Sequence, residues 1–563
     1  MNSSGLADEH SSDDGLFLPA VTSGGPSPAN PPLKTKKDLR FWLIVVSICV
    51  SVFVSALEYA GVSTALPTIV HDLNGDDFVW VASAYALAAT ALLPASGGMA
   101  QIFGRRFTML AALAIFAVGS ALCGAAQSME WLIAARTVQG IGGGAIQSLT
   151  SIILSDMVSL SERATYNGLI GLTWGFACAM GPLIGGALAQ RGQWRWLFYL
   201  NLPIIGVAMV LVAVCLNLPT PKDTFRAKMA RMDWIGNFLI IASSSACVIA
   251  LTWGGVRFAW SSWHVLVPLI VGLVGMVAFF IYEATLAKEP IVPFSLISNR
   301  TTLSGYVQTF IAPVVMMATI YFLPTYYQAC KGASPTRSGV EFFGLAMTIG
   351  PMLIITGVTI ARSQRYRPQL WLAWVLYLIA MGTMSTLHAD TPLGKTIGYP
   401  VFMGVGGGIL YAGTYFPVLA ALPVTANAHA LAFFAFCRYF AGVWGVTIGT
   451  AVLQTQLTKR LPSDFTSQFP QGVAIAYSII PGIPELPEEL QGQVREAFAE
   501  SIAVIWQVMI GISGIGLLAS LFMKGLPLHT YTDAAWTLEG SAESQKARSV
   551  EMAVVTAKYE PTT

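Results

Sequence analysis

Residues 166–190 read YNGLIGLTWGFACAMGPLIGGALAQ, an apolar run without a charged side chain. A helix of this length, at about 1.5 Å per residue, spans a lipid bilayer. Pro182 lies inside the run and cannot donate a backbone hydrogen bond, so we expect a kink at Gly181–Pro182. A membrane tolerates such a break only where neighbouring helices or a water-filled cavity satisfy the freed carbonyl groups. The run therefore predicts a membrane helix that bends or slides as the protein works.

Small residues on this run favour close contact with another helix. Glycines recur at intervals of four or six residues, and the four-residue spacing allows two helix backbones to approach closely. They are Gly171, Gly175, Gly181 and Gly185, with Gly186 beside the last. The chain continues as WRWLFYLNLP, residues 194–203, whose aromatic side chains are typical of a membrane–water interface.

The composition predicts a polytopic membrane protein. The chain has 563 residues, of which 55% are hydrophobic and 11% are charged, whereas soluble domains carry roughly 25% charged residues. The formal net charge is +2, and no basic patch with interleaved aromatic residues suggests a nucleic-acid partner. The seven cysteines and six histidines show no metal-binding spacing, so we expect no metal site.

Apolar runs along the chain predict fourteen membrane spans. A polar segment, residues 1–39, precedes them and is expected to be disordered and cytoplasmic. A count of fourteen places both termini in the cytoplasm. Lysine and arginine are concentrated in the segments that would then be cytoplasmic, which supports the count. An odd number of spans would place the C-terminal tail outside. The predicted spans are 41–66, 79–99, 107–126, 131–154, 166–189, 196–216, 235–254, 264–284, 303–325, 340–360, 370–387, 395–418, 430–455 and 502–522.

Glu58 lies in the middle of the first predicted span. An ionised carboxylate there costs at least about 2.5 kcal/mol, so the side chain is expected to face the interior of a helix bundle. A carboxyl group in that position can take up and release protons. The alternative is a structural hydrogen-bond anchor.

Arg136 begins a polar face on the fourth span. Gln139, Gly140, Gly143 and Gln147 follow it at spacings that place them on one side of a helix. A buried arginine needs an anion, and Glu58 is the obvious candidate. Because arginine keeps its proton, its expected role is to tune a carboxylate or to hold an anionic group. The alternative is an arginine that extends to the membrane interface.

Two further sites carry positive charge. Arg438 lies among aromatic residues in the thirteenth span, where it either contacts substrate or is a static packing charge. Gly104, Arg105 and Arg106 form the turn between spans two and three. The glycine suits a tight turn, and the arginines can pair with helix C-termini or acidic groups. The alternative is positive charge that only sets the topology.

Several of these motifs together resemble the major facilitator superfamily, in particular its fourteen-helix drug:proton antiporter branch, over residues 40–524. Gly97-Gly98-Met-Ala-Gln101-Ile-Phe-Gly104-Arg105-Arg106 resembles the family's loop 2–3 motif, and Arg136-x-x-Gln139-Gly140 resembles its span-four motif. The segment from Gly181-Pro182 to Gly185-Gly186 resembles the antiporter motif. Leu57-Glu58, the 194–203 segment and Asp233-Trp234-Ile-Gly236 resemble markers of the branch. The most similar members are fungal exporters of toxins, secondary metabolites and antifungal drugs.

The resemblance implies a domain organisation. Two six-helix bundles would occupy residues 40–216 and 291–524, with two inserted membrane helices within 217–290. The second bundle would carry a long outer loop at about 456–501, and residues 525–563 would form a cytoplasmic tail. Gln101 departs from the family's usual aspartate, so a charge pair there would become a hydrogen bond.

These observations together predict a proton-coupled exporter of amphipathic small molecules, and not an enzyme. Glu58 would carry the proton, and Arg136, with Gln139, Gln147 and Arg438, would tune it or contact substrate. Gly181, Pro182, Gly185 and Gly186 would form a flexible gate, and Gly97, Gly104, Arg105 and Arg106 would stabilise closure. No phosphate-binding loop is present in a suitable context, so a proton gradient, and no cofactor, would supply the energy.

The expected partners are a small-molecule substrate, protons and the lipid bilayer, with no nucleic acid and with the protein as a monomer. The plasma membrane is the expected location, and the vacuolar membrane is the alternative. An uptake carrier, for iron chelates or for basic amino acids entering the vacuole, and a non-transporting membrane sensor remain alternative functions.

Overall fold

The computed structural model describes residues 38–73, 79–158, 160–217, 224–230, 232–254, 258–287, 290–292, 298–333, 335–462, 465 and 480–528. Most of the predicted N-terminal tail, the C-terminal tail beyond 528 and residues 466–479 of the predicted outer loop lie outside these ranges. Every regular element within them is helical.

The helices follow one another in chain order with short connections. They are α1 Leu39–Leu73, α2 Val79–Phe103, α3 Arg105–Gly124, α4 Met129–Met157, α5 Leu160–Gln190, α6 Arg195–Tyr199, α7 Asn201–Cys215, α8 Phe225–Ala230, α9 Trp234–Trp253, α10 Trp263–Thr285, α11 Arg300–Lys331, α12 Pro335–Glu341, α13 Phe343–Ser363, α14 Arg367–Met384, α15 Leu393–Gly413, α16 Tyr415–Leu419, α17 Asn427–Arg460 and α18 Glu488–Leu521. Two 3₁₀ turns occupy Val424–Ala426 and Ile480–Glu485.

The chain is an all-helical polytopic membrane protein. Each predicted span overlaps one of these helices, and 11 segments in the described ranges are long and apolar enough to cross a membrane. Helices α4, α5 and α14 are not among those segments. In α4 the reason is visible in the sequence, because Arg136, Gln139 and Gln147 lower its hydropathy.

Helix occupies both ends of the predicted outer loop at about 456–501. Helix α17 continues to Arg460, and α18 begins at Glu488 instead of residue 502. The first turn of α18 carries Glu488 and Glu489, and negative charge stabilises the positive end of a helix dipole. Polar sequence there extends the last membrane helix and does not interrupt it.

The helices pack in two groups, one from the earlier part of the chain and one from the later part. Helix α1 packs on α5 and α7, and α4 packs on α2 and α3. In the later part, α11 packs on α17 and α18, while α15 packs on α13 and α14. Contacts of α2 with α17 and of α5 with α13 join the two groups. Helices α9 and α10 pack on each other, and α9 also contacts α2 and α17.

Candidate functional site

A buried ion pair joins α1 to α4. Arg136 Nη1 lies 2.7 Å from Glu58 Oε1, and the side chains are 2% and 0% exposed. The side chain of Glu58 therefore faces the helix bundle, where a buried charge requires a partner. The pairing that the sequence suggested is present.

The guanidinium group of Arg136 has further partners. Its Nε donates to the Val81 carbonyl oxygen at 3.0 Å, and Nη1 also donates to Gln139 Oε1 at 2.7 Å. The same group lies over the ring of Tyr85, 4.6 Å from the ring centre. Gln139 in turn donates to Ser120 Oγ at 2.8 Å. These contacts hold Arg136 inside the bundle, so it does not extend to the interface.

Asn201, the first residue of α7, completes the cluster, and the sequence analysis did not select it. Its Nδ2 donates to Glu58 Oε2 at 2.5 Å, and the residue is fully buried. Its position within WRWLFYLNLP was a usable signal, because a polar amide in an apolar segment needs a hydrogen-bond partner. Both oxygens of Glu58 are thus occupied by donors from two different helices.

The composition of this cluster limits what it can do. A guanidinium group stays protonated in proteins, and amide groups do not titrate. Among Glu58, Arg136, Gln139 and Asn201, only the carboxyl group can exchange a proton. Protonation of Glu58 would remove its charge and weaken its attraction to Arg136.

Two predicted site residues lie apart from this cluster. Gln147 Nε2 donates to Ser55 Oγ on α1 at 3.1 Å. Arg438 lies on α17, where Nη2 donates to the Tyr411 carbonyl oxygen at 3.2 Å. The Arg438 guanidinium also stacks over the Tyr411 and Phe434 rings at 3.9 and 4.6 Å. The structure therefore places Arg438 against aromatic rings, and not beside Glu58.

The turn between α2 and α3 is built around Gly104 and Arg105. Gly104 has φ 88° and ψ 152°, a conformation that is essentially restricted to glycine. The buried Arg105 pairs with Asp156 at the end of α4 at 2.8 Å and donates to the Ala100 carbonyl oxygen at 3.1 Å. Arg106 donates to Asn217 Oδ1 at 2.6 Å. We call the side of the molecule that carries this turn the α2–α3 face.

The two helix groups meet at the α2–α3 face. A Cβ added to Gly97 on α2 would lie 2.8 Å from Ala432 Cβ and 2.9 Å from the Ala428 carbonyl oxygen on α17. Gln101 donates to the Thr425 carbonyl oxygen at 3.5 Å, and its Oε1 lies 3.0 Å from His429 Nε2. The uncharged amide of Gln101 therefore contacts the other helix group through hydrogen bonds.

Arg163 on α5 is a second residue that the sequence analysis did not select for the site. It is fully buried, and Nη2 donates to the Ser155 and Val158 carbonyl oxygens at 2.8 and 3.3 Å. Its Nη1 lies 3.3 Å from the Tyr415 hydroxyl on α16. Arg163 therefore connects the two helix groups.

The glycine–proline segment lies within an uninterrupted helix. Helix α5 runs from Leu160 to Gln190, and Gly181 and Gly185 are buried. A Cβ added to Gly61 on α1 would lie 3.2 Å from the Gly181 carbonyl oxygen, so the two helices approach backbone to backbone. The surroundings of Pro182 and Gly186 lie outside what the structure describes. The kink at Gly181–Pro182 therefore stays a prediction.

In the described ranges, no group of three or more His, Cys, Asp or Glu side chains could hold a metal ion.

Comparisons with known proteins agree with this architecture. The sequence profile of the Major Facilitator Superfamily matches residues 48–446. The efflux pump FUS6 of Gibberella moniliformis is 39% identical over 555 residues, which cover 96% of this chain and 99% of that protein. The MFS-type efflux pump LUC4 of a Fusarium species is 37% identical over 541 residues, covering 94% and 96%. The crystal structure of the human organic anion transporter MFSD10 matches 85% of this chain and 100% of that chain with a TM-score of 0.53 and 12% identity.

Proposed function

Because the chain belongs to the major facilitator superfamily, a family of membrane transporters and not of enzymes, we propose that it exports amphipathic small molecules in exchange for protons. Toxins, secondary metabolites and antifungal drugs are the substrate classes we propose. The direction of transport is supported by relatives such as FUS6 and LUC4, which are named efflux pumps.

The observation that carries proton coupling is the buried Glu58 carboxyl group held by Arg136 and Asn201. In the proposed cycle, a proton on Glu58 weakens the ion pair with Arg136, and proton release restores it. The two states of this pair would favour different arrangements of α1, α4 and α7. One proton moving down about 100 mV supplies roughly 2.3 kcal/mol, and one pH unit adds about 1.4 kcal/mol.

The gate in this proposal is the α2–α3 face, which we assign to the cytoplasm. Gly97, Gly104, Arg105 and Arg106 would stabilise its closure, and Gly181–Pro182, with Gly185 and Gly186, would supply the flexible segment of α5. The contacts across this face support a conformer that is open to the opposite side. Gln139, Gln147 and Arg438 remain candidates for tuning or substrate contact.

We further propose fourteen membrane helices, with two six-helix bundles at 40–216 and 291–524 and inserted helices α9 and α10 between them. The protein would work as a monomer in the plasma membrane, or alternatively in the vacuolar membrane, with both termini in the cytoplasm. It would need no cofactor, because the proton gradient supplies the energy.

The test is proton-gradient-dependent accumulation of a lipophilic cationic dye in cells with and without the protein. We expect lower dye accumulation in cells that contain the protein, and we expect a protonophore to abolish the difference. Glu58→Gln should lose the effect, whereas Glu130→Gln, a change in an exposed side chain at the start of α4, should keep it. Proton-driven efflux in Glu58→Gln would refute the assigned coupling site.

Where the dye is not a substrate, metabolite profiles of cells with and without the protein take its place. Retention of a compound inside cells that lack the protein supports export. Lost uptake would favour a carrier for iron chelates or basic amino acids. No change in either direction would favour a sensor and contradict the proposal.

A further inference from the structure

Two carboxyl groups meet at the junction of the inserted helices. Asp233 caps the N-terminus of α9, where its Oδ1 accepts from the Gly236 N–H at 2.9 Å and from the Tyr282 hydroxyl at 3.0 Å. Glu283 lies in the last turn of α10, and its Oε2 accepts from the Val292 N–H at 3.1 Å. One oxygen of each carboxyl group is therefore occupied.

The second oxygen of each carboxyl group lies beside Gly236. Asp233 Oδ2 and Glu283 Oε1 are buried and have no hydrogen-bond donor. A methyl group added to Gly236 would contact both of these oxygens, so they flank the glycine of the Asp233-Trp234-Ile-Gly236 motif. Residue 236 has no side chain, and this absence leaves the space in which the two carboxyl groups face each other.

A third buried acceptor without a donor belongs to the residue that follows Gly236 in α9. Asn237 is 8% exposed, and its Oδ1 also has no donor. Asn237 and Asp233 line a cavity of about 30 Å³ together with Gln101 and His429. A cavity of this size holds one water molecule. The surroundings of Asp233 thus contain an excess of acceptors and room for a water-sized donor.

The charges around Asp233 and Glu283 indicate whether a proton or a cation lies between the two carboxyl groups. Two ionised carboxylates in contact are strongly unfavourable unless a cation or a proton compensates them. Among the described residues, no lysine or arginine is ion-paired with either group. Within the part of the chain that the structure describes, the titratable groups near the pair are Tyr282 on α10 and His429 on α17, which connects to Glu283 through residues 291 and 292. Helix α2 contributes the uncharged Gln101. The described residues offer no group of three or more His, Cys, Asp or Glu side chains that could hold a metal ion, so a proton is the compensating charge that remains.

We infer that Asp233 and Glu283 share one proton and form a second proton-binding site, separate from Glu58 and located in the inserted helices. The proton lies between Asp233 Oδ2 and Glu283 Oε1, where it satisfies both unpartnered oxygens and leaves a single negative charge on the pair. The site itself does not depend on the proposed export, because it concerns proton binding alone.

A chain of hydrogen bonds links this site to the α2–α3 face. Val292 donates to Glu283, and the neighbouring Ile291 carbonyl oxygen lies 2.9 Å from His429 Nδ1. His429 Nε2 lies 3.0 Å from Gln101 Oε1. Both ring nitrogens of His429 thus face acceptors, an arrangement that the protonated imidazole ring satisfies at both positions.

Loss of the shared proton would act on the gate through this chain. Two negative charges would then repel each other, and Glu283 would move away from Asp233 and release the Val292 N–H. Residues 290–292 would lose an anchor, and His429 would lose the fixed carbonyl group that orients it toward Gln101. Proton binding therefore stabilises closure of the α2–α3 face, and this effect on transport rests on the proposed function.

Infrared titration of the purified protein tests the site without requiring transport. In a Glu58→Gln background we expect a protonated-carboxyl band at neutral pH, and adding Glu283→Gln or Asp233→Asn should each remove it. Adding Glu130→Gln, in an exposed side chain, should leave the band unchanged. Identical spectra with and without Glu283 and Asp233 in correctly folded protein would overturn the inference.

Hydrogen–deuterium exchange tests the link to the gate. Gly236→Ala, which places a methyl group against both carboxyl oxygens, should raise exchange at residues 291–292 by about tenfold or more, and it should also raise exchange at the α2–α3 turn. Gly206→Ala, which meets no atom within 4 Å, is the matched control and should change neither. Unchanged exchange in Gly236→Ala alongside a confirmed infrared band would retain the proton site and overturn its coupling to the gate.

Discussion

Glu58 and Arg136 stabilise the bundle only as a pair, because each leaves an uncompensated buried charge when the other is removed. They lie on different helices at 2.7 Å and are almost completely buried. Removing one partner of such a pair costs on the order of 3–5 kcal/mol, whereas replacing both with apolar side chains is often nearly neutral. The arrangement therefore favours a functional role for the pair over a purely stabilising one.

A double-mutant cycle tests this interpretation at the level of stability. We expect Glu58→Leu alone and Arg136→Met alone each to lower the free energy of unfolding by about 3–5 kcal/mol. The double variant should lose less than either single variant, because no unpaired charge remains. Unfolding in mixed micelles would provide the measurement, and losses that simply add would contradict the prediction.

The backbone of Gly104 provides a second prediction for a single residue. Its φ of 88° is unfavourable for any side chain, so Gly104→Ala should lower stability by about 1–3 kcal/mol. Gly98→Ala, in the interior of α2 with no atom within 4 Å of the added Cβ, should raise stability slightly, since alanine favours helix over glycine by roughly 1 kcal/mol. Thermal unfolding provides the measurement, and we expect a lower Tm for Gly104→Ala and a slightly higher Tm for Gly98→Ala.

At the scale of elements, the contact between α2 and α17 requires a glycine at residue 97. Any added side chain would meet Ala432 and the Ala428 backbone at less than 3 Å. The two helices would have to separate, and overpacking of this kind costs about 1–3 kcal/mol. In the proposed cycle, closure of the α2–α3 face depends on this contact, so the cost of overpacking would fall on the closed conformer and shift the equilibrium toward the open one.

Gly97→Ala should therefore weaken closure by roughly 5- to 150-fold in the equilibrium constant. A cysteine placed at residue 101 would report this as faster labelling by a water-soluble maleimide, together with reduced efflux. Gly98→Ala, one residue away and unobstructed, is the control and should label at the original rate. Equal rates in the two variants would show that the contact does not limit opening.

At the scale of the whole molecule, the proposed cycle of alternating access requires the α2–α3 face to open. Gln101 and His429 bring the two helix groups together there, although they lie 328 residues apart in the chain. Arg163 and Tyr415 make a second contact between the groups. A link that holds the face closed should therefore stop transport even though it touches neither Glu58 nor Arg136.

The corresponding prediction uses Gln101→Cys combined with His429→Cys. Bridging the pair with a short bifunctional thiol reagent should reduce efflux to the level of cells without the protein. Each single variant should show the same efflux with and without the reagent, which controls for labelling of the native cysteines. Undiminished efflux after complete bridging would contradict a gate at this face.

Much of the architecture was predictable because the lipid bilayer allows few backbone structures other than helices. Each of the predicted spans overlaps a helix, and every regular element in the described ranges is helical, although the count of fourteen membrane crossings stays a proposal. Glu58 and Arg136 could be paired from sequence because a buried charge in a membrane must find a counter-charge. Gly104 could be placed at a tight turn because its neighbours on both sides are helical.

The amino-acid sequence by itself determined that this protein is a helical membrane protein with charged residues inside its bundle, because the cost of placing polar groups in lipid is local and visible in the chain. Only the tertiary structure decided which groups meet. Asn201 reaches Glu58 across 143 residues, Gln101 contacts His429, and Asp233 faces Glu283. No local pattern encodes these pairings, because they depend on how separate helices pack and on the small residues that let them approach.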